Sequence, residues 1–285
     1  MDDPRLTPAR PEVAARYLQG KVKAARFADG ETFAVIAALA PLREAPRADA
    51  MLQTEALRGE RVTVYDRPGR DSPNHGWAWG QLDSDGYVGW LPEAALGPPG
   101  PPPTHKVTAL RTFGFPGPSI KQPPRAALPL GAMLAITRSA DGFAVTDDGL
   151  YLPAQHLAPR DQAAPDFVAV AESFVGTPYL WGGKSSLGID CSGLVQVALT
   201  ASGIGAPRDS DMQEESLGAD VPLAQIARLR RGDLVFWKGH VAIARDAATL
   251  VHANAFHMAT AIEPTREAVA RIQAAGCPVR RIKRL

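Results

Sequence analysis

The sequence predicts an α+β C-terminal domain preceded by two small β-rich pieces. Three observations carry that prediction. Residues 165–176 and 191–203 place apolar side chains at helical spacing and then meet Gly stops, whereas residues 234–253 form short apolar strands. Residues 54–157 hold two stretches of alternating strands broken by Gly turns. Two breaks separate these regions, Gly97-Pro98-Pro99-Gly100-Pro101-Pro102-Pro103 and the softer Ala158-Pro159-Arg160-Asp161-Gln162-Ala163-Ala164-Pro165. The first run cannot join a helix or a central strand, so it reads as a stiff extended linker.

The breaks divide the chain into 1–97, a linker at 98–103, then 104–158 and 162–285. The first 30 residues, with Ala14-Ala15-Arg16-Tyr17-Leu18, are expected to be a helical lead-in. The next two pieces read as copies of each other. The first passes through Leu57-Arg58-Gly59-Glu60 and an alternating Arg61-Val62-Thr63-Val64-Tyr65, then Gly86-Tyr87-Val88-Gly89-Trp90 and Leu91-Pro92-Glu93-Ala94-Ala95-Leu96. The second passes through Leu130-Gly131-Ala132-Met133-Leu134, then Gly142-Phe143-Ala144-Val145 and Leu152-Pro153-Ala154-Gln155-His156-Leu157. Short strands separated by Gly turns suggest small barrels. The pattern resembles tandem bacterial SH3-like domains.

In the third piece, 165–176 reads as a helix with a Gly stop and 191–203 as a second helix ended by Gly203. Leu234-Val235-Phe236-Trp237, Val241-Ala242-Ile243-Ala244 and Thr249-Leu250-Val251-His252-Ala253 read as successive antiparallel strands. The sheet therefore carries histidines, and the helix before it carries a cysteine.

Composition narrows the function. A formal net charge of +1 offers no basic field for nucleic acid. The basic end Arg280-Arg281-Ile282-Lys283-Arg284 reads as a solvated terminus. No apolar run approaches the roughly 18–20 residues that span a bilayer. The start, Met1-Asp2-Asp3-Pro4-Arg5-Leu6, lacks a basic segment followed by an apolar stretch, so a cytoplasmic location is expected. A trimmed N-terminus would leave export open. Two cysteines, Cys191 and Cys277, make neither a disulfide framework nor a zinc site, and no metal or organic cofactor is expected.

Cys191 follows Asp190, a good N-cap, and so falls in the first turn of its helix. A helix N-terminus favours thiolate, so the thiol pKa is expected to fall from about 8.5. The amides there can also hold an oxyanion. A thiol needs a base, and the base an orienting partner. His240, at a strand start after a tight turn, suits the first role, and His252, on the next strand, the second. Cys277 matches no such pattern and reads as structural.

Six segments then carry a resemblance over 165–285: Gly176-Thr177-Pro178-Tyr179-Leu180-Trp181-Gly182-Gly183, Asp190-Cys191-Ser192-Gly193-Leu194-Val195-Gln196, Pro207-Arg208-Asp209-Ser210-Asp211-Met212-Gln213, Arg231-Gly232-Asp233-Leu234-Val235-Phe236-Trp237, Gly239-His240-Val241-Ala242-Ile243 and His252-Ala253. They resemble the NlpC family of papain-like cysteine peptidases. The resemblance implies catalysis by Cys191, His240 and His252 on peptidoglycan peptides. The three-piece plan looks like the γ-D-glutamyl-L-diamino acid endopeptidases of the dipeptidyl-peptidase VI type, which implies murein peptides such as L-Ala-γ-D-Glu-diaminopimelate with a free N-terminal L-Ala.

By the same resemblance Asp190, Ser192 and Tyr179 hold the substrate amine, although Asp190 also suits an N-cap and Tyr179 a packed aromatic. Glu60 and Tyr87 are the candidates from the first SH3-like domain, against a surface charge and a barrel aromatic. Arg208 and Asp209 are expected at the cleft rim, against a solvated ion pair. Two other readings stay open: an exported hydrolase that uses its SH3-like domains to bind intact wall, and a catalytically inactive wall-peptide binding protein.

Overall fold

A computed structural model describes residues 3–285. The chain divides between Arg160 and Asp161 into two compact units. Both helices and sheets are present, and strands predominate.

In the first unit a seven-stranded antiparallel sheet runs in the spatial order Leu96–Gly97, Glu31–Val35, Arg61–Asp66, Trp77–Leu82, Val88–Pro92, Leu39–Arg43 and Leu52–Leu57. Alternation along these strands sends Val35, Leu42, Val62, Leu82 and Leu91 into one core. The following residues, through Pro159, form short antiparallel strands around Val107, Leu128, Leu134 and Leu152. The Ile136–Ala140 and Phe143–Thr146 strands are joined by Asp141-Gly142, with φ of 50° and 79°. Two positive φ values make a two-residue type I′ loop, whose twist suits a hairpin.

The sequence repeat has a structural counterpart. Pro92 (φ −58°) and Pro153 (φ −53°) each precede one 3-10 turn, Glu93–Ala95 and Ala154–His156, and extended backbone resumes at Leu96 and Leu157. Proline sets that φ by its ring. Residues 98–103 between the two pieces form no regular element and are mostly exposed.

The N-terminal segment departs from the expected helix. It forms strands at Ala9–Arg10, Val13–Ala15 and Phe27–Ala28, with a single 3-10 turn at Arg16–Leu18. Val13, Ala14 and Ala15 are contiguous and all fully buried, a pattern that one face of a helix cannot produce. Val13 and Ala15 pack with Tyr65, Trp79 and Trp90, and the Arg10 guanidinium lies 4.4 Å from the centroid of the Trp90 ring.

The second unit places helices around a six-stranded antiparallel sheet. Its order is Ala219–Val221, Arg281–Arg284, Leu234–Trp237, His240–Ala244, Thr249–Asn254 and Ala259–Pro264. The helices are α1 (Phe167–Glu172), α2 (Cys191–Ala201), α3 (Ser210–Ser216) and α4 (Thr265–Ala274). Helix α1 starts where the Asp166 carboxylate accepts from the Val168 amide, and it ends at Glu172, ahead of the expected stop at Gly176. Helix α2, buried from Cys191 to Leu199, packs on the His240–Ala244 and Thr249–Asn254 strands. It stops at Gly203 (φ 78°): the Ile204 amide donates to the Leu199 carbonyl and the Gly203 amide to that of Thr200. This is a Schellman arrangement, which satisfies two of the helix's last carbonyls. Helix α4 contributes Ala268 to a core with Val235, Trp237, Ala242 and Leu250.

Candidate active site

The site is built at the N-terminus of α2. Asp190, extended at φ −98° and ψ 177°, caps the helix by accepting from the Gly193 amide at 2.7 Å. The Gly182 amide donates to the other carboxylate oxygen at 2.8 Å. Two motif glycines permit this approach. A Cβ on Gly193 would meet the Gly183 carbonyl oxygen at 2.4 Å, and a Cβ on Gly183 would meet that of Gly188 at the same distance. The loop is held in turn by main-chain bonds from Leu180 to Ile189 and from Ile189 to Pro178. The Tyr179 amide donates to Met258, which sets Tyr179 between the α2 lead-in and the turn ahead of the Ala259–Pro264 strand.

Cys191 is the first residue of α2 and is buried. The Val241 and Ser192 amides point at its sulfur. Val241 is the neighbour of His240, so the thiol lies against the start of the histidine strand. The two-residue loop Lys238-Gly239 begins that strand, with Gly239 at φ 73° and Trp237 paired to His240. The Trp237 ring lies 5.5 Å from the His240 ring. His240 Nε2 is 2.9 Å from His252 Nδ1, and His252 is fully buried.

The expected fall in the thiol pKa does not occur. Burial, joined by the Asp190 charge, pushes the Cys191 thiol up to about 12 against the opposing pull of the Val241 amide, Arg208 and the Ser192 amide. Burial likewise takes His240 down to about 3, helped by His252 and Arg271. His252 falls to about 4 because burial outweighs Glu263. The helix N-terminus loses here chiefly to burial, and its capping carboxylate adds a negative charge beside the sulfur. The resting pair is therefore a thiol and a neutral imidazole, and the proton moves as sulfur attacks. Two amides of this first turn are already engaged, Gly193 by the Asp190 carboxylate and Leu194 by the Asp190 carbonyl.

The other expected residues are placed as follows. Arg208 is not at a rim. It is 1% exposed, and its guanidinium forks onto both Asp190 oxygens at 2.9 and 2.7 Å. It also donates to Ser192 Oγ at 3.0 Å and to the Gly183 carbonyl at 3.2 Å. Burial opposes its charge, but Asp190 outweighs burial and raises its pKa. Asp209, half-buried, is the residue before α3. Tyr179 is half-buried within electrostatic reach of Cys191, Asp190 and Arg208; burial first, then the Cys191 and Asp190 charges, push its phenol up. Glu60 lies in the first unit and accepts from the Leu57 amide at 2.7 Å. Tyr87 is 2% exposed in the core of that unit and donates to Gln53 at 3.2 Å.

Sequence reasoning missed two groups. Gln213 Nε2 donates to the Ser192 and Pro207 carbonyls, and Gln196 donates to that of Ala206. These amides clamp the 206–208 segment, and with it Arg208, onto α2. Glu263 and Arg271 were also missed. Glu263 Oε2 is 3.1 Å from His252 Nε2, and the Arg271 guanidinium donates to the Glu263 oxygens at 3.2 and 2.6 Å. A signal existed in the alternation of the Ala259–Pro264 strand, but no motif marked it.

A cysteine at a helix N-terminus, packed on an antiparallel sheet whose adjacent strands carry a bonded pair of histidines, defines a papain-like cysteine peptidase domain. Comparison with known proteins places it further. Residues 176–272 match the NlpC/P60 family, and residues 42–96 match the bacterial dipeptidyl-peptidase SH3 domain. The chain carries both, and its second unit holds a cysteine peptidase domain of the NlpC/P60 family. Over 228 residues it is 29% identical to the gamma-D-glutamyl-L-lysine dipeptidyl-peptidase of Bacillus cereus, covering 70% of this chain and 67% of that one. Over 101 residues it is 40% identical to dipeptidyl-peptidase 6 of Lysinibacillus sphaericus, and this match spans only 36% of that relative. A crystal structure of an NlpC/P60 family protein from Bacillus cereus shares the fold, with a TM-score of 0.72 at 22% identity over 89% of this chain and 99% of that one.

Proposed function

We propose that the protein hydrolyses the γ-D-glutamyl–diamino acid bond of peptidoglycan stem peptides, with Cys191 as nucleophile, His240 as base and His252 as the residue that orients it. The observation that carries the chemistry is the 2.9 Å His240–His252 bond beside the thiol at the head of α2. The substrate class rests on the names of the relatives, which are matched over 70% of this chain in the Bacillus cereus case.

In this reading the substrate carries a free N-terminal L-Ala. Asp190, Ser192 and Tyr179 lie around the sulfur and are the groups assigned to the amine. Both Asp190 oxygens already accept from Arg208, so that pair is close to neutral. Arg208 acts by holding Asp190 and Ser192, and Asp209, the next residue, is assigned to the rim that meets the peptide. An acylated amine would lose its charge and bring bulk into the same space. Glu60 and Tyr87, both buried in the first unit, are left out of this assignment: Glu60 accepts from the Leu57 amide and Tyr87 packs in the core of that unit. A role in recycling wall peptides inside the cell follows from a preference for free peptide.

The test is cleavage of L-Ala-γ-D-Glu-meso-diaminopimelate, and of its N-acetylated form, by wild type and Cys191→Ala, read by mass spectrometry. The expected result is release of L-Ala-D-Glu from the free-amine peptide alone, by wild type alone. Equal cleavage of both peptides would remove the amine preference and turn the reading towards intact wall. No cleavage of either would refute peptidase activity on these peptides.

A further inference from the structure

We propose that Glu263 and Arg271 are positioning residues that fix the tautomers of both histidines, so that the basic ring nitrogen of His240 is the one turned towards Cys191. The proposal rests on the cysteine-peptidase reading of the site.

His252 is paired with Ala261, and side chains alternate along a strand, so Glu263 shares the face of His252 as its diagonal neighbour. Glu263 is buried, with Arg271 reaching it from α4. The guanidinium is itself held against the Phe256 ring, 4.2 Å from its centroid. Burial would raise the Glu263 carboxyl, but hydrogen bonds and charge from Arg271, together with His252, bring it below its ordinary range. An ionised carboxylate can only accept. At 3.1 Å from Glu263 Oε2, His252 Nε2 must therefore carry the hydrogen.

A neutral imidazole has one N–H, so His252 Nδ1 presents a lone pair. His240 Nε2, 2.9 Å away, must donate to it. His240 Nδ1 is then the unprotonated nitrogen, the one that can take a proton from sulfur. When Cys191 attacks, its S–H bond breaks and an N–H bond forms at His240 Nδ1. The resulting imidazolium is stabilised through His252 by the Glu263 carboxylate. Without an acceptor at position 263, His252 has no fixed donor direction and either tautomer of His240 satisfies the pair. Only one of the two is a base towards Cys191.

Histidine tautomers in full-length protein labelled with nitrogen-15 histidine are read by long-range proton–nitrogen NMR at pH 7.5, beside kcat and KM for the free tripeptide. Wild type is expected to hold His240 and His252 as Nε2–H tautomers. Glu263→Ala is expected to populate the Nδ1–H form and to lose about 10- to 100-fold in kcat with KM within about twofold. Glu263→Gln, whose carbonyl still accepts from His252, is expected to restore the tautomers and most of kcat. Wild type with His240 as the Nδ1–H tautomer overturns the proposal, and that measurement needs no variant to fold. Glu263→Ala that folds and keeps both tautomers and kcat also overturns it. If wild type shows the expected tautomers but cuts no peptide, the proton geometry is supported and the peptidase reading is what fails.

Discussion

Cys191 shows how strongly a residue's chemistry depends on what surrounds it. The position that a helix N-terminus makes favourable for a thiolate is also walled off from water and capped by Asp190. Desolvation outweighs the helix because it acts on the full thiolate charge, whereas the helix end supplies only about half a charge. Wild type compared with Cys191→Ala is therefore expected to show no thiolate absorbance in the ultraviolet at pH 7, and a clear difference there would contradict the neutral pair. Arg208 carries a second lesson. Removing one partner of a buried ion pair strands the other charge, at roughly 3–5 kcal/mol. Arg208→Leu is expected to destabilise the second unit by about that much in urea unfolding, and a loss below about 1 kcal/mol would place the Asp190 pair outside the framework of the site.

Among the elements, α2 shows what its motif glycine does. Gly193 lies inside a helix, where glycine is ordinarily a weakness. Here it lets the Gly182-Gly183 backbone reach Asp190, because a Cβ would come within 2.4 Å of a carbonyl oxygen. Gly193→Ala is expected to cost about 1–3 kcal/mol rather than gain helix propensity. Thermal unfolding checks the sign: a raised Tm would refute the close-approach argument. The repeat of the Leu-Pro segments was legible in sequence, and the structure shows that each Pro, Pro92 and Pro153, leads into a 3-10 turn. The N-terminal segment was not, since Val13-Ala14-Ala15 becomes a strand only by packing beside Tyr65, Trp79 and Trp90, which are remote in sequence.

For the whole molecule, buried histidines couple fold to pH. His252 titrates near 6.5 when unfolded and about 4 in the fold, so between these values the unfolded chain binds more protons. Stability contributed by the neutral ring is complete above about pH 6.5 and is lost as pH falls towards 4. For His252 that loss is about 3 kcal/mol. His240, lowered to about 3, acts in the same direction. Below the ordinary carboxyl range Glu263 adds to the loss, because its lowered pKa stabilises the fold only while it is ionised. Urea midpoints for the second unit are expected to fall between pH 7 and pH 5. His252→Gln should flatten that slope even if it lowers stability at pH 7, and an unchanged slope would show that the ring does not titrate as its burial dictates.

By itself the sequence determined the α+β class, the helix that begins at Cys191, the strands that carry His240 and His252, and the repeated Leu-Pro segments. Each of these is written in local periodicity, in a cap or in proline, and so needs no distant partner. Only the tertiary structure decided that Arg208 turns inward to neutralise Asp190 and that burial reverses the expected thiol shift. The pairing of Glu263 with His252 and Arg271 was settled there as well. All three depend on what a side chain meets across the fold, and the free energy of a charge is set by its partners and its solvent rather than by its neighbours in the chain.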